Sequence, residues 1–247
     1  MPALRICTTI TMSPDAEKRA AGLYRLLAWS SPAFPTGGFS YSHGLEAAVA
    51  DGVVHDRDTL QRWVGAIVLR GSGRIDADIL CQAYAAALAG DGSALADANR
   101  RGLAYRATAE LALESEQQGA AFAAAWRAAW RREPGARPTA GEEMVPTDRL
   151  SQPAAFAVAA AADRIPFQDA LLAYFHAFTS NLVSAGIRLG VIGQTDGQGI
   201  IASLEPEIIE AAHTAPGRPV EAFGAATFAA DLASMAHETQ YTRLFRS

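Results

Sequence analysis

The sequence has 247 residues, 50% of them hydrophobic, and a net charge of -5, so it can bury the core of one large domain. It contains no block of Lys and Arg of the kind that follows a nucleic-acid backbone. Lys18 is the only lysine, which excludes a GxxxxGK[ST] phosphate loop, a kinase-type lysine and a Schiff-base site.

Cysteine use and hydropathy bear on the compartment. Cys7 and Cys81 lie far apart and form no CxxC pair, which favours a reducing environment. The first residues contain no continuous apolar stretch typical of a leader, and the apolar segment 154–162 is much shorter than the ~20 residues that cross a bilayer. We therefore expect a soluble, cytoplasmic protein.

Helical periodicity runs through almost the whole sequence. Apolar residues after Asp58 recur at helical spacing, with Asp56 or Asp58 as the N-cap and Gly71 as the stop. A similar apolar stripe after Pro166 predicts a long helix over 167–190. Further helices are expected near 19–29, 43–51, 75–89, 93–105, 108–130, 152–163, 205–213 and 219–236. No segment alternates like a strand, so the sequence predicts an all-α, mostly antiparallel helical domain of about ten helices.

Three segments interrupt this pattern. The Pro- and Gly-rich residues 131–148 predict an irregular connection between two helical halves. We expect a flexible N-terminal segment over 1–20, an all-α domain over 21–236, and a C-terminal tail over 237–247. Because the tail has no helical stripe of useful length, we expect it to become ordered when a partner binds.

Metal and nucleotide motifs are incomplete. His237-Glu238 lacks the second histidine of an HExxH motif. The other histidines have no His or Cys at ligand spacing and are expected at ordinary surface or packing positions: His43, His55, His176 and His213. No strand precedes the glycine-rich stretch 193–199, so it predicts a helix C-cap at Gly193 and an N-cap at Thr195 or Asp196 rather than a dinucleotide loop.

The Gly37-Gly38 pair follows two prolines that are expected to end the first helix. The glycines allow positive-φ geometry, and Ser40 or Ser42 can cap the next helix. Since no lysine or strand lies nearby, a phosphate cradle is excluded, and we expect Phe39 and Tyr41 to reach a partner protein. Either serine could serve a hydrolase, but no partner histidine and carboxylate can be assigned to it.

Four stretches together resemble the urease accessory protein UreF family. They are "LLAWSSPAFPTGGFSYSHGLE" (26–46), "RATAELALESEQQG" (106–119), "NLVSAGIRLGVIGQTDGQ" (181–198) and "HETQYTRLFRS" (237–247). Their order and spacing are similar to the family's from near residue 22 onward, and the first and last stretches are the most specific.

The resemblance implies an all-α homodimer in the cytoplasm with no catalytic residues and no cofactor. Similar proteins bind the accessory protein UreD, called UreH in some bacteria. By the same resemblance, that complex recruits the GTPase UreG, regulates GTP hydrolysis or its timing, and delivers nickel to apo-urease. The missing phosphate loop agrees with this division of labour, because the GTPase is a partner.

The resemblance also implies partner-binding positions. Tyr41 and Arg243 match positions that the family uses in the surface that recruits the GTPase. Neighbouring residues are carried over with them: Phe39, Ser40, Ser42 and Glu46 beside the first, and Gln240, Leu244 and Phe245 beside the second. This sequence reads "SQPAAFA" from Ser151, where the family commonly has His-x-Pro-Val, so no role is assigned to a histidine there.

An alternative hypothesis is a nickel-binding metallochaperone that holds the ion on its own His or Cys side chains or on interfacial ones. It lacks a ligand cluster in the sequence, although ligands could converge across a dimer or partner interface.

Overall fold

The computed structural model describes residues 13–130 and 149–247, which form ten α-helices and no β-strand. The helices are α1 Pro14–Trp29, α2 Leu45–Ala50, α3 Arg57–Arg70, α4 Ser72–Ala89, α5 Gly92–Ala104, α6 Ala109–Ala129, α7 Gln152–Ala162, α8 Phe167–Arg188, α9 Gln194–Thr214 and α10 Phe228–Glu238. Short 3₁₀ turns lie at Gly38–Ser40, Ala215–Gly217 and Val220–Ala222. The prediction of an all-α fold is confirmed.

Helix α7 lies in the middle of the core. Every residue from Pro153 to Ala161 is buried, and the helix packs against α4 and α6. Its alanines favour helix and let neighbouring axes approach closely. On α6, a Cβ placed at Gly119 would lie only 2.1 Å from the carbonyl oxygen of Leu150. The close approach of the chain leading into α7 therefore requires glycine at this position.

Aromatic side chains join α1 to this core. Trp29, the last residue of α1, meets Phe122 of α6 and Phe156 of α7 edge to face, with ring centroids 5.9 and 6.0 Å apart. Phe122 and Trp126 lie four residues apart on α6 and are both buried, as helical spacing on one face favours. Edge-to-face pairs of this kind stabilise a core beyond their buried area.

Helix α8 has the buried face that its sequence predicts, with Leu171, Phe175 and Leu182 almost inaccessible to solvent. Within the described ranges it is the one helix long and apolar enough to cross a membrane. However, 50% of the apolar stretch is buried inside the domain, and core helices pass the same test.

A buried polar network connects α4, α6 and α8. Arg106 Nη2 lies 2.6 Å from Asp76 Oδ1 and donates to Ser115 Oγ at 3.1 Å. The Tyr174 hydroxyl donates to Asp76 Oδ2 at 2.7 Å. Burial lowers the pKa of Arg106, but Asp76, Tyr174 and Glu114 together raise it above its ordinary value, so the guanidinium stays charged. The network thus consists of a paired charge with its hydrogen bonds satisfied.

Several helix boundaries differ from those predicted. Helix α9 begins at Gln194 instead of near 205, because Gly197 packs so closely on α8 that a Cβ would lie 2.9 Å from the Ile187 side chain. The glycines there serve helix packing. Gly193 precedes α9 and does not cap α8, and the left-handed residue after α8 is Gly190, with φ of 77°. Thr195 and Asp196 lie in the first turn of α9 and are not its cap.

The other boundary differences lie near the two ends of the sequence and in the first loop. The predicted helix over 219–236 begins only at Phe228, since Pro219 and Gly224 precede it in non-helical geometry. The helix predicted over 43–51 starts at Leu45, after positive φ at His43 and Gly44. Helix α1 begins at Pro14, inside the segment expected to be flexible. Residues 1–12 and the predicted irregular connection 131–148 lie outside the described residues.

Candidate partner-binding site

The loop between α1 and α2 has a fixed shape. Gly37 adopts φ of 74° and leads into the 3₁₀ turn Gly38–Ser40, as the glycine pair predicted. Gly44 also has a positive φ, and a Cβ there would lie 2.8 Å from the backbone nitrogen of Ser234 on α10. Only glycine fits both this conformation and this contact. The loop is thereby held against the helix that precedes the C-terminal segment.

The C-terminal segment, residues 239–247, pairs with this loop through its backbone. Ser42 N donates to the carbonyl oxygen of Ser247 at 2.9 Å, and Arg246 N donates to the carbonyl oxygen of Ser40 at 2.8 Å. The Ser42 hydroxyl donates to the same Ser247 oxygen and accepts a bond from Glu46 N at 3.2 Å. We call the contact between residues 40–46 and 244–247 the loop–tail joint.

The Glu46 carboxylate lies at the centre of the loop–tail joint. It accepts Leu244 N at 2.6 Å and Phe245 N at 2.9 Å, while His237 Nε2 lies 3.2 Å away. Glu46 is buried, and a buried carboxylate that binds backbone N–H groups is stabilised far more than by neutral hydrogen bonds. A residue of α2 thus fixes the path of a segment almost two hundred positions away.

His237 connects the loop–tail joint to α6. Its ring is fully buried, with Nε2 toward Glu46 and Nδ1 2.6 Å from Glu110 Oε2. Glu110 also pairs with Arg243 at 2.6 Å. Sequence reasoning considered His237 only as part of an incomplete metal motif and missed this role. No local pattern reveals it, because both carboxylates are distant in sequence.

A second carboxylate, Glu114 on α6, lies beneath the segment. Glu114 Oε2 accepts the Ser247 hydroxyl at 2.7 Å and lies 3.3 Å from His43 Nδ1. Burial raises the pKa of Glu114, but His43, the Ser247 hydroxyl and Arg106 together lower it below its ordinary value. The carboxylate is therefore ionised at neutral pH and holds the segment from below.

Arg188 of α8 also contacts both the loop and the C-terminal segment, which the sequence did not indicate. Its guanidinium lies over the Phe245 ring, 4.4 Å from the centroid, and donates to the carbonyl oxygen of Phe39. Phe245 itself is buried. This cation–π contact adds to the hydrogen bonds that fix the segment.

The structure divides the predicted site residues by exposure. Phe39 and Leu244 are 67% and 64% exposed, and Arg243 remains partly exposed beside Glu110. Tyr41 is only 3% exposed, so it does not project from this surface, and its role in partner binding stays a prediction. Its hydroxyl donates to Gln117, and burial raises its pKa.

The remaining predicted residues are buried or half-buried: Ser40, Ser42, Glu46, Gln240 and Phe245. Gln240 donates within its own turn, to the carbonyl oxygen of Thr242 at 3.0 Å. Tyr241 was not predicted, yet it is fully exposed beside them. The two predicted stretches therefore form one surface, with Phe39, Tyr241, Arg243 and Leu244 outermost.

Metal and hydrolase chemistry have little support at this surface. Residues 13–130 and 149–247 contain no group of three or more His, Cys, Asp or Glu side chains placed to hold a metal ion. The hydrogen of the Ser42 hydroxyl is donated to the Ser247 carbonyl, and the residue is inaccessible to solvent. Ser42 is therefore not arranged as a nucleophile.

Comparison with known proteins agrees with the resemblance. The UreF family model matches residues 54–205. A "Urease accessory protein UreF" of Rhodopseudomonas palustris (strain HaA2) is 45% identical over 237 residues, covering 96% of this chain and 98% of the relative. Proteins of the same name from Azorhizobium caulinodans and Granulibacter bethesdensis are 46% and 43% identical, covering 90% and 95% of this chain and 94% and 98% of theirs. The chain belongs to the UreF family of urease accessory proteins.

Proposed function

We propose that this protein acts in urease maturation as a non-enzymatic scaffold. It binds UreD (or UreH) and recruits the GTPase UreG, so that nickel reaches apo-urease in the cytoplasm. The observation that supports this most is the loop–tail joint. The two stretches with the most specific resemblance, 26–46 and 237–247, form one surface with exposed apolar side chains.

The chemistry of this surface suits protein recognition. Phe39 and Leu244 supply exposed apolar contacts and Arg243 a charged one, a combination typical of interface anchors. Buried residues below this surface hold the exposed ones in place: Tyr41, Ser42, Glu46 and Phe245. Ser40 and Gln240 complete the backbone turns. In the geometry of the loop–tail joint, the exposed side chains thus lie on one surface that a partner can contact.

The proposal includes a homodimer and an effect on GTP hydrolysis by UreG. It also includes an ordering step, in which partner binding fixes the C-terminal segment in the geometry of the loop–tail joint. A bound GTPase would sense this geometry, because Leu244 lies in the loop–tail joint and Arg243 immediately precedes it.

Co-expression with UreD and UreG tests the assignment. Size-exclusion chromatography, with and without GTP, should show one peak containing all three proteins. Absence of a joint complex under both conditions would remove the main support for the proposal.

A matched pair of variants tests the surface. Phe39→Ala with Leu244→Ala should reduce UreG retained in a pull-down by about tenfold or more, the effect of losing central interface anchors. Leu88→Ala removes a side chain that is 51% exposed on α4 and should leave retention unchanged. Equal retention by both proteins would show that the partner binds elsewhere.

A further inference from the structure

A cleft of about 130 Å³ lies between the loop and α8. Its walls are largely aromatic, from four different parts of the chain: Trp29, Phe34, Phe122, Phe156 and Phe178. None of these residues belongs to the outer surface that carries Leu244 and Arg243. Phe39 of that surface also lines the cleft, so the cleft adjoins the partner surface and is a candidate site for a small group.

The cleft is lined by an acidic side chain and by no basic one. Glu114 lies in its lining, whereas no Lys, Arg or His does. The carboxylate is 6% exposed, and its lowered pKa keeps it ionised at neutral pH. His43 and Arg106, which lie outside the lining, offset part of this charge. The lining itself presents a carboxylate and no cationic side chain, which favours a bound cation over an anion.

Hydrogen-bond acceptors accompany this charge. Gln118 donates its amide nitrogen to Glu114 at 3.1 Å, because an ionised carboxylate can only accept. The Gln118 amide oxygen therefore points the other way, past Gly38, where a Cβ would lie 3.2 Å from it. Within the described ranges this oxygen accepts no hydrogen bond. Asn181, which also lines the cleft, donates its amide nitrogen to the Tyr41 carbonyl oxygen at 3.5 Å, which leaves its own oxygen as an acceptor.

We infer that this cleft binds a guanidinium cation. A guanidinium is planar, donates hydrogen bonds without accepting any, sheds water more readily than an ammonium, and stacks on aromatic faces. A divalent metal ion fits the lining poorly, since it requires several oxygen or nitrogen ligands and only one carboxylate is present. The inference stands independently of the proposed function.

Titration of the full-length protein with ethylguanidinium chloride tests the inference. Two-dimensional NMR should show saturable shifts of the Gly38 and Phe178 amides at millimolar concentrations. The peptide acetyl-Gly-Arg-Gly-amide separates the two sources of the group. If the natural ligand is an arginine side chain of a protein, the peptide should bind about tenfold more tightly than ethylguanidinium. If it is a free small cation, ethylguanidinium should bind more tightly than the peptide.

Neutral ligands and variants decide whether the binding is specific. The citrulline analogue of the peptide has the same shape without the charge and should bind at least about tenfold more weakly. Ser184→Trp narrows the cleft from its exposed rim and should weaken binding to a similar extent, whereas Ser203→Trp on α9 should not. Glu114→Gln removes the charge and should weaken binding, with circular dichroism to confirm folding.

The inference is overturned if the citrulline peptide binds as well as the arginine peptide. It is also overturned if Ser184→Trp and Ser203→Trp bind ethylguanidinium equally. Absence of saturable shifts with both cationic probes would show that the cleft holds only water.

Discussion

Two of the buried networks of charged side chains in the described residues differ in what they connect. The Asp76–Arg106 network joins helices that also pack through a large apolar core. The loop–tail joint, centred on Glu46, instead connects short segments of backbone, although Phe245 there is buried in the apolar core. Polar contacts thus join whole helices in the first region and short backbone segments in the second, and apolar packing contributes to both.

This difference predicts distinct consequences of mutation. Damage to the helical network should lower the stability of the whole domain, because unfolding of small domains is cooperative. Damage to the loop–tail joint should release a local segment while the helices persist, because stability varies across a structure.

The largest effect is expected from Arg106→Met. The substitution leaves the Asp76 carboxylate buried without its partner and should lower the free energy of unfolding by about 3–5 kcal/mol. Urea denaturation followed by circular dichroism measures the change. Arg100→Met is the control, since the Arg100–Asp97 pair is exposed and should contribute at most about 1 kcal/mol. Similar losses of unfolding free energy in both variants would show that the buried ion pair contributes no more than the exposed one.

Glu46→Gln should act locally. It removes the charge that binds Leu244 N and Phe245 N, and charge-assisted hydrogen bonds contribute about 1.5–3 kcal/mol. We expect the protection of these two amides from hydrogen exchange to fall about 10–100-fold, while amides in α4 keep theirs.

Glu205→Gln, on an exposed position of α9, is the matched control. It should change the protection of neither the C-terminal amides nor those in α4. Equal loss of protection in α4 and at Leu244 in the Glu46 variant would mean that the loop–tail joint does not open by itself.

Acidification should loosen the loop–tail joint through Glu114. Its folded-state pKa lies below the ordinary value of 4.5, so its stabilising contribution is present above that pH and is lost as pH falls through the lower folded-state value. Protection factors of the Ser42 and His43 amides, corrected for intrinsic exchange, should fall over this range. In Glu114→Gln this part of the pH dependence should disappear, and its persistence would assign the effect to another group.

The smallest effect is expected from Tyr41→Phe. The hydroxyl loses its bond to Gln117 and its contact with Arg246, while the buried ring stays, and Gln117 still accepts Arg246 Nη1 at 3.3 Å. We expect a loss of about 1 kcal/mol or less in urea denaturation. Tyr105→Phe, at a side chain that is 41% exposed, should be neutral. A loss of several kcal/mol at Tyr41 would place this residue in the cooperative core.

Some helices could be predicted from the sequence more accurately than others, for a physical reason. Helices α3, α6 and α8 were predictable because an apolar stripe at helical spacing reports directly on which face is buried. The start of α9 was not, because its glycines have the composition of a loop and serve close packing on α8.

The candidate site was predicted in pieces. The stretches around Phe39 and Arg243 were identified separately, but nothing in either stretch indicates that Glu46 joins them. Burial of Tyr41 was missed because exposure depends on distant residues such as Gln117. Contacts such as these, over 76 to 199 positions, are set by the tertiary fold and leave no local pattern.

Helix α7 has a consequence for how the family can vary. A single nucleotide change in an alanine codon yields Gly, Val, Ser, Thr, Pro, Asp or Glu. At the buried positions of α7, each of these lowers helix propensity, adds volume or introduces a polar group. Almost no single-nucleotide substitution in this helix is therefore expected to be neutral. Although its side chains are small, we expect mutational scanning to find it among the segments of the protein that tolerate substitution least.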